Sequence, residues 1–166
     1  MFLVFGVIDI PYVYGGDEPK KIKKAKKGKA NKPKKTKKGT ERGISTGDVA
    51  EILEKRYKIM NTFAAINKDL IERELVKSAE MELFALMNGK PVGDEAHAFD
   101  NACEVIAEDF RQFLNNSEAE HLGIPGVPTQ AALDGVNHRL KIMKGARRPS
   151  FIDTGQYQNA AKVWTE

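Results

Sequence analysis

Apolar positions recur with a helical period over the middle of the chain. In "STGDVAEILEKRYKIMNTFAAINKDLIERELVKSAEMELFALMNG", Val49, Ile52, Leu53, Met60 and Phe63 keep a 3.6-residue spacing. Ile71, Leu75, Ala79, Leu83 and Leu86 continue one, so the helical pattern runs on through this half. Ser45 or Thr46 can cap its start, and Asp48 and Glu51 lie in the first turn, where the helix dipole favours negative charge. Asn67 marks a break or kink, and Gly89 with Pro91 ends the element. A further helix is predicted over "DEAHAFDNACEVIAEDFRQFLNN". There Phe99, Ala102, Cys103, Ile106, Phe110, Phe113 and Leu114 make one apolar stripe opposite an acidic face.

The flanks follow a different pattern. Phe2 to Tyr14 is rich in Val, Ile, Phe and Tyr and ends at Gly15-Gly16, which predicts a strand with Pro11 at an edge or bend. "HLGIPGVPTQAALDG" is punctuated by Gly and Pro and reads as an ordered connection. "VNHRLKIMKGARRPS" suits a surface strand or strand and turn, and "DTGQYQNAAKVWTE" a short helix followed by a strand carrying Val163 and Trp164. The expected class is α+β, with long N-terminal helices packed on a small, mostly antiparallel sheet. One domain spans residues 1–166, with a helical part at 46–116 and a loop and C-terminal strand/helix part at 117–166.

Charge divides the chain in two. In Pro19–Gly43, twelve lysines and one arginine stand against one glutamate, so this segment carries +12. With +4 for the whole chain, the remainder is left at −8. Residues 17–43 cannot bury enough apolar surface to offset their ordering entropy, so they read as a flexible Lys-rich insertion, disordered or extended. The candidate contacts are Lys20, Lys21, Lys23, Lys24, Lys26, Lys27, Lys29, Lys32, Lys34, Lys35, Lys37 and Lys38. They could meet phosphates in a salt-sensitive, sequence-blind way, meet an acidic protein neighbour, or remain solvated. No aromatic residue lies between Ile22 and Ile44, which argues against base stacking on single strands.

Composition narrows the rest. At 41% hydrophobic and 30% charged, with no run of about 18 apolar residues, the chain reads as globular without a membrane span. The apolar start lacks a basic n-region and holds Asp9 and Pro11, unlike a signal peptide. The single cysteine, Cys103, suits a reducing compartment and falls on an apolar stripe as a small core residue.

Candidate chemistry centres on Asp153-Thr154-Gly155, preceded by the apolar pair Phe151-Ile152. An aspartic protease needs two such carboxylates sharing a proton. Here there is one triplet, Gln156 stands where a small residue is usual, and eleven residues follow Gly155. The expectation is structural: Asp153 or Thr154 caps a helix, Gly155 permits close backbone approach, and Tyr157 and Ala161 face inward. His97, His121 and His138 have no paired ligand spacing, and "GIPGVP" lacks the Gly-Lys-Ser/Thr ending of a phosphate loop. No catalytic residue, cofactor or metal is expected.

Four stretches carry a family resemblance. "GIPGVPTQAALDGVNHRLK" and "RPSFIDTGQYQNAAKVW" resemble a block of the small neck and tail-completion proteins of tailed bacteriophages. "VIDIPYVYG" and "STGDVAEILEKRYKIMNTF" are similar to the N-terminal half of the same proteins, with the Lys-rich segment as an insertion. The resemblance implies a non-enzymatic structural virion protein, a homo-oligomeric ring of six or twelve copies at the head–tail junction. Its partners would be neighbouring connector and tail proteins, with duplex DNA in the channel as a further candidate. It would be made in the host cytoplasm and end in the virion. From charge alone, the alternative is a cytoplasmic polyanion-binding module acting through its lysines.

Overall fold

Whether the helical stretch stays continuous depends on two residues, Lys58 and Asn67. The computed structural model describes residues 2–12, 44–90, 97–137 and 143–166. The Lys-rich segment and residues 138–142 of the expected strand or strand and turn "VNHRLKIMKGARRPS" lie outside the described residues, and its described part at 143–150 is bends and turn rather than strand. Strand β1 (Leu3–Val7) is followed by helices α1 (Thr46–Tyr57), α2 (Ile59–Ile66), α3 (Lys68–Met87) and α4 (Asp100–Asn115). A 3-10 turn (Glu118–His121), helix α5 (Gln130–Leu133), helix α6 (Gln156–Ala160) and strand β2 (Ala161–Thr165) complete it. The fold is α+β, largely helical, with a two-stranded antiparallel sheet.

Ser45 is the N-cap of α1: its hydroxyl accepts from the Asp48 N–H, and the Asp48 carboxylate accepts from the Ser45 N–H, a reciprocal capping box. Thr46 is fully buried and does a different job. Its Oγ1 donates to the Ile8 carbonyl and accepts from the Ile10 N–H at 2.8 Å, tying the end of β1 to α1. Pro11 bridges Ser45 at the same seam, where an imide nitrogen costs no ladder bond.

The break between α1 and α2 falls at Lys58, in the left-handed region at φ 52°. Neither Gly nor Pro announces it. With no cap from Lys58 itself, Glu54 supplies one, its carboxylate accepting from Met60 N–H at 2.9 Å and from Asn61. The second break is at Asn67, whose side-chain amide donates to the Phe63 carbonyl at 3.1 Å.

The core gathers four elements around one aromatic group. Phe63 of α2 meets Phe110 and Phe113 of α4 at centroid distances of 5.2 and 5.5 Å, and Phe5 of β1 at 5.9 Å, all edge-on. Tyr157 of α6 closes the group against Phe110 at 6.5 Å. Each such pair contributes about 0.5–1.5 kcal/mol beyond its area burial. The α4 stripe is buried as its spacing predicts, with Ala107 added and Phe99 half-buried.

The buried residues of helix α3 are Glu74 and Ser78, while Leu83 and Leu86 are exposed. The periodic residues Ile71, Leu75, Ala79, Leu83 and Leu86 therefore run from half-buried at Ile71 and Leu75 to exposed at Ala79, Leu83 and Leu86. Leu70 and Ile71 pack on the core, and Glu74 forms ion pairs with Arg73 (3.2 Å) and Lys77 (3.7 Å). Beyond Ser78 the helix carries a second apolar face away from the body.

Candidate functional site

The C-terminal block is built around two polar contacts, one buried and one half-buried. The Glu120 carboxylate, 3% exposed, accepts from the Ser150 N–H (2.9 Å), the Ser150 hydroxyl (2.8 Å) and Arg147 (2.6 Å). Ser150 Oγ in turn accepts from the Thr129 N–H at 3.1 Å, and Thr129 caps α5 through the Ala132 N–H. Burial opposes ionisation of Glu120, but the Ser150 bonds and Arg147 outweigh it and hold the carboxyl below its ordinary range. Three segments far apart in sequence are thus fastened by one charged group.

The second contact is Arg148. Its guanidinium donates to the carbonyls of Ile152 and Val136, the latter at 3.0 Å, and lies 3.5 Å from the Asp153 carboxylate. Gly135 makes this close approach possible. It sits at φ 62°, and a Cβ there would fall 2.4 Å from the Ala146 carbonyl oxygen. Gly145 N–H donates to Asp134 and Arg148 N–H to Ala132, so the returning chain lies directly on the end of α5.

The Asp153-Thr154-Gly155 turn leads into α6, where the sequence places a helix start, but the cap is not the one expected. Gly155 is the N-cap residue at φ 77°, with no side-chain cap bond, and Asp153 is turned to Arg148. The Asp153 carboxylate thus faces a cation five residues upstream rather than the N–H groups of α6. Tyr157 and Ala161 face inward as expected, 4% and 2% exposed. Burial, with Glu54 and Tyr12 nearby, pushes the Tyr157 phenol above its usual range, so it stays protonated. Gln158 donates to the Arg111 carbonyl (3.0 Å), and Arg111 reaches the Ala161 carbonyl (3.3 Å), locking α6 and β2 onto α4.

This arrangement positions a strand. The turn orients α6, and α6 delivers β2 into register with β1, Val4 opposite Trp164 and Gly6 opposite Lys162. The Trp164 ring lies over Gly6, where any Cβ would meet it at 2.5 Å. Cys103 borders a cleft of about 320 Å³ with Asp100, Glu104, Arg111 and Lys162. Burial, then the Asp100 charge, pushes its thiol above the ordinary range, away from a reactive thiolate.

Sequence reasoning missed Glu120, Ser150 and Arg148, whose partners lie up to 30 residues away. The one local signal was a basic pair, Arg147-Arg148, before a stiffening Pro149. Among the described residues no group of three His, Cys, Asp or Glu is placed to hold a metal ion, and no helix is long and apolar enough to cross a membrane. Compared with protein families, characterised proteins and solved structures, the chain matches none.

Proposed function

We propose that this chain is a structural virion protein of a tailed bacteriophage, forming a homo-oligomeric ring at the head–tail junction as a neck or tail-completion protein. The observation that carries this reading is the resemblance of the Gly123–Lys141 and Arg148–Trp164 block, together with what the block does here. It fastens a strand onto α4 and β1 rather than assembling reactive groups. The two-stranded sheet and the distal half of α3 then leave large apolar side chains in water, as a subunit awaiting neighbours would.

The Lys-rich segment favours a second reading, a polyanion-binding module, because +12 in 25 residues is a strong electrostatic footprint. Native mass spectrometry of the full chain and of a form lacking residues 19–43 separates the two. The ring reading expects a closed assembly of six or twelve copies that survives the deletion. A monomer whose duplex-DNA binding disappears with the deletion would replace it with the second reading.

A further inference from the structure

Two apolar surfaces are left open on different elements. On α3, Val76, Leu83 and Met87 lie within about 20° of one line along the helix, with Ala79, Leu86 and Phe84 flanking it. Leu83 is 58% exposed, Phe84 70% and Met87 76%. Val76 and Leu86 are exposed as well, so this face is a continuous run of large apolar side chains, interrupted by Glu80, of the kind that marks an interaction surface. On the sheet, Leu3, Phe5 and Val7 turn to the core, so Phe2, Val4 and Ile8 share the other side with Trp164. Phe2 is 77% exposed there and Ile8 49%.

We infer that the outer α3 face of one copy docks on the outer sheet face of the next copy, a head-to-tail contact between two different surfaces of the same chain. Charge decides against α3 pairing with itself. A two-fold axis at the middle of the apolar line, near Met81, would bring exposed Glu80 against its own symmetry mate. The sheet face instead offers exposed Lys162, two residues before Trp164 on the same side of β2, while Glu166 at the far end of that side accepts from the Trp164 indole N–H. Area decides likewise. Pairing either face with itself leaves the other in water, whereas one head-to-tail contact covers both. Such contacts close into rings or run on as filaments. This inference rests on the proposed ring and names the surfaces that build it.

The test is cysteine cross-linking on a Cys103→Ala background, with native mass spectrometry of the full chain. Leu83→Cys mixed with Ile8→Cys should cross-link as a dimer of one each, neither variant should cross-link alone, and the double variant should give a ladder. Leu83→Glu should reduce the assembly to monomers that keep the helical circular-dichroism spectrum of the unaltered chain, because the side chain is exposed in the single copy. Self-cross-linking of Leu83→Cys, or a ring retained by Leu83→Glu, overturns this interface and leaves the ring standing. The mixed cross-link in a polydisperse, open-ended assembly supports the interface and removes the closed ring. An unaltered chain that is monomeric, with no mixed cross-link, overturns both.

Discussion

Gly135 and Gly89 share a left-handed backbone but differ in what surrounds them. At Gly135 an added methyl meets the Ala146 carbonyl at 2.4 Å and the Gly145 backbone at 2.5 Å, and backbone cannot swing aside. Gly135→Ala should therefore destabilise the fold by about 2–4 kcal/mol, overpacking added to the left-handed cost. Gly89, at φ 69° with nothing within 4 Å, should lose only the conformational part, about 1–2 kcal/mol. Denaturant midpoints of the two alanine variants check the difference; equal losses would show that the α5 contact is not tight. Glu120 makes the pH-dependent counterpart. Its folded-state pKa lies below the unfolded value, so its contribution is complete above about pH 4.3 and disappears as pH falls through the lower folded value. Glu120→Gln should cost about 1–3 kcal/mol near neutral pH, with the gap to the unaltered protein closing as acid is added. A gap that stays constant with pH would mean the carboxylate charge plays no part.

Helices α3 and α4 show what an amphipathic pattern can and cannot specify. Helix α4 has one apolar stripe, so its buried face is legible from spacing, down to Phe110 at 1% exposure. Phe110→Ala should cost about 3–5 kcal/mol, read from a denaturant midpoint; an unchanged midpoint would remove Phe110 from the core. Helix α3 is apolar on more than one side, and period alone cannot say which side meets the body. The buried side carries Glu74 and Ser78, residues that pattern reading sends to solvent. Ser78 Oγ is buried with no hydrogen-bond partner among the described residues, so Ser78→Ala should be neutral or slightly stabilising. A loss of more than about 1 kcal/mol would mean that the hydroxyl has a partner. The same limit applies at the C-terminal turn. A helix after Asp153-Thr154-Gly155 was legible from local chemistry, as were Tyr157 facing inward and a strand through Val163. That Asp153 would turn to Arg148 was not, because that choice depends on Gly135 admitting the returning chain. Lys58 was illegible for a related reason: it takes a left-handed backbone, at the junction of α1 and α2, that its residue type does not favour.

At the scale of the whole molecule, the separation of charge sets the outcome. Removing residues 19–43 takes the chain from +4 to −8 without touching any core side chain named above. If the ring reading holds, assembly should be unaffected, because neither the α3 face nor the sheet face includes the deleted residues. The lysines can still meet DNA passing through such a ring. With a Debye length of about 8 Å at physiological salt, only phosphates close to them would feel the charge. Sequence-blind contacts of this kind hold DNA while letting it slide, and each neutralised phosphate adds about 0.9 to the downward slope of log K against log salt. Titration of duplex DNA across a salt series is therefore the direct measurement. A steep slope that collapses when residues 19–43 are removed assigns them to phosphate. Binding that is absent even at low salt assigns them to an acidic protein surface or to solvent, since the remaining −8 body would itself repel DNA.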